Sequence, residues 1–198
     1  MATPELHSDS AIDAGPLPPG QVWAIGPGGS DTGPGLYRIE VSAQPGSGVR
    51  ILNQPTPPAF RESVKVAEQN LYAQAKSLIG DRDPRAHEFT IQLRAMDSDK
   101  TGASLSVAAI AALCGAMLEK NTRGSTIIVG ALTLGGSMET LPNAIRIAEL
   151  AVEKQAQTLL LPVTSRRQLN DLPDDVWTKI SIEFYRDAAD AAFKALED

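Results

Sequence analysis

The run V-A-A-I-A-A-L-C-G-A-M-L at residues 107–118 constrains this chain more than any other stretch. It is the longest apolar stretch of the chain and carries no charge. It is too short to cross a bilayer, which takes about 20 apolar residues. Its Met and Leu positions are core by default. Cys114 sits inside it and reads as a small buried hydrophobe rather than a reactive thiol. As the single cysteine of the chain, it rules out an internal disulfide and fits a reducing cytosol. The 42% hydrophobic content is enough for a real core.

The elements around that run alternate in type. Residues 21–25 and 36–43 have strand character and are split by the glycine-rich loop G-P-G-G-S-D-T-G-P-G; residues 49–53 form a third short strand. The loop is a hairpin tip rather than a phosphate cradle, because no Lys-Ser/Thr follows the glycines and no helix begins there. After P-T-P-P, residues 60–79 form one amphipathic helix, with Val64, Ala67, Leu71, Ala75 and Leu78 at helical spacing. Residues 88–95 alternate as a half-buried strand. A helix runs from Ser104 to about Lys120. Residues 126–134 make a strong strand, Gly135-Gly136 a turn and residues 143–154 a helix. Residues 158–161 are a buried strand and 165–172 a short helix with Ser165 as N-cap. Residues 180–184 are a strand and 187–196 a last amphipathic helix. The class is α+β (mixed α/β), a hairpin part followed by a mixed sheet with packed helices.

Residues 1–19 are proline-rich, polar and aperiodic, a linker ahead of a domain at 20–198. A leading linker implies a further domain upstream. Lys+Arg 18 against Asp+Glu 24 leaves a net charge of −6, which argues against non-specific nucleic-acid binding by this chain. No signal peptide or membrane span is evident, so a cytoplasmic protein is expected. Two histidines and one cysteine do not cluster at metal-ligand spacing. Trp23 and Trp177 are expected in core or interface contacts.

Four motifs in order carry a resemblance. They are G-Q-V at residues 20–22, T-G-A-S-L-S-V-A at 101–108, G-A-L-T-L-G-G at 130–136 and L-L-P-V-T-S-R-R-Q-L-N-D-L-P-D-D-V at 160–176. Over residues 20–196 the chain resembles the proteolytic domain of Lon-type ATP-dependent proteases. Within that family it resembles the Lon-like C-terminal part of AAA+ proteins such as that of bacterial BREX phage-defence systems. The resemblance implies the Lon proteolytic-domain fold and a Ser-Lys dyad, with Ser104 at the nucleophile position. Backbone N–H groups of Gly102, Ala103 and Leu105 would serve substrate or oxyanion.

The lysine departs from the pattern. Counted without gaps from Gly130, Ile145 and Ile147 take the places of the family's two lysines, with Ile147 at the catalytic one and Arg146 between them. Isoleucine cannot take a proton, and a guanidinium stays protonated. Thr101, Ala103, Ser106 and Ala131 also differ from the family's aspartate, proline, glycine and glutamate. Lys100 is the nearest alternative base; Lys120 and Lys154 are expected as solvated residues at helix ends. His87 opens a strand, His7 lies in the linker, and Asp97 and Asp99 flank the loop.

Three readings follow. Ser104 is the nucleophile of an active Lon-type serine endopeptidase with a non-standard base and a polypeptide substrate. Alternatively, Ser104 is only a helix cap, and the domain is an assembly module degenerate in its dyad. In the third, the relic cleft binds a peptide by β-addition. The resemblance implies an upstream AAA+ ATPase as partner and a homo-oligomeric ring, possibly a hexamer. This chain holds no G-x-x-x-x-G-K-[ST], so ATP and Mg would act only through that other domain, and DNA likewise.

Overall fold

The computed structural model describes residues 11–28, 32–97 and 104–198. Its strands are β1 (Gln21–Gly26), β2 (Gly35–Pro45), β3 (Gly48–Ile51), β4 (His87–Ala95), β5 (Thr126–Ile128), β6 (Thr158–Pro162) and β7 (Ser181–Tyr185). They form one seven-stranded sheet in the order β3-β4-β2-β1-β5-β6-β7. β1, β2 and β4 pair antiparallel, while β3 joins β4 and β5, β6 and β7 follow β1 in parallel. The helices are α1 (Pro58–Ala73), α2 (Ala75–Ile79), α3 (Ser106–Leu118), α4 (Ala144–Glu153), α5 (Asp174–Trp177) and α6 (Ala188–Ala195). The mixed α/β class and the hairpin-first order agree with the sequence.

Side chains alternate across the sheet with period two, and both sets are apolar in its parallel half. Val22, Ala24, Ile39, Phe89, Ile91 and Leu160 join the core built with α1, α3 and α6. Trp23, Ile25, Leu36, Ile127, Leu159 and Leu161 join a second core built with α4. Helix α3 is the centre of the first core and is buried from Ser106 to Gly115. Burial pushes the Cys114 thiol up to about 12, so it stays neutral. Along β2 and β4, beyond Leu36, the second face is polar. There Glu40 is 3.4 Å from Arg38 and 3.8 Å from Arg94, and Arg38 stacks over Trp23 at 5.1 Å.

Four expectations change. The helix expected over 60–79 breaks at Gln74, which caps α1 and starts α2, and the new direction buries Leu78 and Ile79. The strand expected over 126–134 stops at Ile128, because Gly130 takes φ +142° and the chain turns away. Ser165 is not an N-cap. It lies inside a 3₁₀ segment, Val163–Asp171, and its hydroxyl donates to the Pro162 carbonyl at 2.6 Å. The linker expected over 1–19 is packed on the domain from Ile12 onward. Ile12 and Leu17 are buried in the second core, and Leu17 exchanges backbone hydrogen bonds with Thr122 at 3.1 and 3.0 Å.

Candidate functional site

The site is built where β5 ends. Tyr185 on β7 donates its hydroxyl to the Val129 carbonyl. A Cβ on Gly130 would fall 1.9 Å from that same hydroxyl oxygen, so only glycine fits there. Burial pushes the Tyr185 phenol far above its usual value, keeping it a donor. Beyond Gly130 the chain forms a small hairpin, with Leu132 bridging Met138 and the Glu139 N–H donating to Ala131 O at 2.9 Å.

Two buried side chains fasten the hairpin to the helices. Ser106, in the first turn of α3, accepts from the Leu132 N–H at 2.7 Å. Asn70 of α1 donates to the Thr133 carbonyl at 3.2 Å. A third link joins α1 to the start of α3, where Ser63 accepts from the Leu105 N–H at 2.9 Å. The Leu132 and Leu105 N–H groups are buried and would otherwise be orphaned.

Ser104 stands outside these links. The residue capping α3 is Leu105, and no side chain caps that helix end. Ser104 is exposed and makes no hydrogen bond with a described residue, so the helix-cap reading does not hold. It borders two cavities. One, of about 190 Å³, lies between Pro27, Thr140, Leu141 and Pro142. The other, of about 20 Å³, lies between Glu62, Ser63 and Ser106. Glu139 lines both. Among the described residues, the ionisable groups on these walls are carboxylates.

Ile147 lies on α4, is 0% exposed and belongs to the second core with Ile25, Leu36 and Ala148. It lines neither cavity beside Ser104. Arg146 is exposed, and its guanidinium lies close to Gly33 in the β1–β2 loop. Ile145 is only partly buried. Of the expected oxyanion donors, the Leu105 N–H is already engaged by Ser63. Gly102, Ala103, Lys100, Thr101 and Asp99 lie outside the described residues, as does His7.

The other candidates lie apart from Ser104. Lys120 is exposed as expected. Lys154 is not solvated: it is 5% exposed, and its ammonium meets Asp97 Oδ1 at 2.7 Å. Asp97 Oδ2 accepts the Leu36 N–H at 2.8 Å, so this pair ties the end of β4 to α4 and β2. His87 faces the Asp83 carbonyl at 3.1 Å and stacks on Phe89. Trp23 is buried in the second core and Trp177 is 40% exposed. Sequence reasoning passed over Ser63, Asn70, Glu62 and Glu139. Asn70 carried a signal, a polar residue on the apolar spacing of α1; Glu139 carried none.

Comparison with known proteins agrees with the mixed α/β fold. The family model for the Lon protease (S16) C-terminal proteolytic domain matches residues 23–198. The Lon-like protease BrxL of Escherichia coli O9:H4 (strain HS) is 27% identical over 99% of this chain, which spans 28% of that protein. The Lon-like protease BrxL of Bacillus cereus (strain H3081.97) is 24% identical over 99% of the chain, spanning 29% of its own length. A Lon protease of Mycolicibacterium smegmatis is 26% identical over 70% of the chain and 18% of its own length. The chain thus spans under a third of these curated relatives. With nearly all of the described body inside the match, the chain belongs to the family of Lon protease C-terminal proteolytic domains.

Proposed function

We propose that this chain is the Lon-like domain of a longer ATP-dependent protein and serves as an assembly module without Ser-Lys peptide hydrolysis. The observation that carries the reading is the placement of Ile147. The position where the resemblance expects the family's lysine holds an isoleucine sealed at 0% exposure, and among the described residues the walls around Ser104 offer carboxylates. A serine nucleophile needs a base within hydrogen-bond reach to take its proton. An ionised carboxylate near pH 7 is a far weaker base than a neutral amine. The packed fold with an altered site, within relatives several times longer, supports assembly as the retained role. The expected partners are an upstream AAA+ ATPase and further copies of the chain in a ring. ATP and Mg would act in the ATPase.

A second reading keeps Ser104 as the nucleophile of a Lon-type endopeptidase with a non-standard base. Its support is that Ser104 is exposed, free of any capping bond and open to a cavity of about 190 Å³. The relatives named as proteases lean the same way. A peptidase assay on an unfolded polypeptide, comparing the chain with Ser104→Ala, separates the two. Equal background cleavage is expected. Cleavage that disappears in Ser104→Ala would establish the second reading.

A further inference from the structure

Helix α6 turns its small residues inward and its large one outward. Ala188, Ala191, Ala192 and Ala195 are buried, whereas Phe193 is 76% exposed. A helix that served only to close the core would do the reverse, because aromatic side chains carry the largest apolar area. Beside Phe193 lies a cavity of about 130 Å³, floored by Leu78, Leu118, Ala192 and Leu196. Closed apolar cavities of roughly 150 Å³ hold a benzene ring. The charged groups on the rim of this groove are Lys120, Glu197 and Asp198. Neither Lys120 nor Glu197 enters an ion pair among the described residues.

We propose that this groove is a two-fold contact site for a second copy of the chain. In such an isologous contact one surface meets itself, so it must present both halves of every interaction. This surface does. It holds an exposed aromatic side chain next to an open groove with an apolar floor, and a lysine next to a glutamate, neither in an ion pair among the described residues. Phe193 of each copy enters the groove of the other, and Lys120 of each faces Glu197 of the other. The contact pairs copies two at a time and leaves the Ser104 cavities free. It goes beyond the assembly reading, since it holds whether or not Ser104 cleaves peptides.

The test is sedimentation of the chain over a concentration series, with Phe193→Ser, Lys120→Glu, Glu197→Lys and the double charge reversal. Phe193 is exposed, so its replacement should leave the fold intact, which the circular dichroism spectrum and melting temperature check. The expected result is a concentration-dependent dimer that Phe193→Ser weakens at least about tenfold. Each single charge reversal should weaken it too, and the double reversal should restore it. A wild-type chain that stays monomeric overturns the proposal. So does an oligomer indifferent to Phe193→Ser, which would leave the assembly reading standing on another surface. A double reversal no better than the singles overturns the Lys120–Glu197 pairing and with it the two-fold geometry.

Discussion

The two positions where the sequence resemblance puts the dyad, Ser104 and Ile147, sit in opposite surroundings. Ser104, ahead of α3, is exposed, makes no hydrogen bond with a described residue and opens to two cavities. Ile147, on α4, is closed into the second core with no exposed surface. A working dyad needs both groups at one wet surface, with the amine in a pocket that still reaches the hydroxyl. Here Ser104 lies at the surface and Ile147 within a packed core. An isoleucine at 147 makes an ordinary hydrophobic contact there.

Mutations at the two positions should separate them sharply. Ile147→Lys places an unpaired charge in an apolar cluster and should cost about 3–5 kcal/mol, read by denaturant unfolding. Ile147→Val, which only trims a methyl group, should cost about 1 kcal/mol. An Ile147→Lys variant of wild-type stability would break the comparison, since position 147 would then have access to water or to Ser104.

Between these extremes lies Ser106→Ala. It leaves the buried Leu132 N–H without its acceptor and should cost about 1–3 kcal/mol, again by unfolding. A loss near zero would mean that the hairpin beside Ser104 is held by Asn70 alone.

Alkali should probe how well α3 is sealed behind Ser104. The Cys114 thiol is raised from 9.0 to about 12 in the folded chain, so the unfolded state releases its proton first. Stability is then fully present below pH 9.0 and falls as pH rises towards about 12. The slope should reach about 1.4 kcal/mol per pH unit for this one group. Alkylation of Cys114 should be slow in the same range until unfolding begins. Fast alkylation at pH 8 or so in native protein would contradict the sealed helix.

Ser104→Ala should have the smallest effect, within about 0.5 kcal/mol, because the hydroxyl caps nothing. A larger loss would restore the capping role that the geometry denies it.

Much of this fold was legible in the sequence because its signals are local. Strand character on either side of a glycine-rich loop marked β1 and β2, alternation marked β4, and the uncharged run at 107–118 marked α3. The failures share a cause, partners far away along the chain. β5 ends early because Tyr185, on another strand, occupies the space beside Gly130. Lys154 is buried because Asp97 reaches it from the end of β4, 57 residues earlier. Ile12 and Leu17 looked like linker because their contacts lie on Lys154 and Thr122. At the site, the motif located Ser104 and the substitution at 147. It could not show that Leu105 rather than Ser104 caps α3, nor that the cavity walls are acidic.

The most direct test of the account is intact-mass spectrometry of the chain after exposure to a serine-directed fluorophosphonate. With Ile147 where the resemblance expects a lysine, no adduct on Ser104 and a spectrum identical to that of Ser104→Ala are expected. A stoichiometric adduct on Ser104, absent from Ser104→Ala, would contradict this and show that the domain still holds an activated nucleophile.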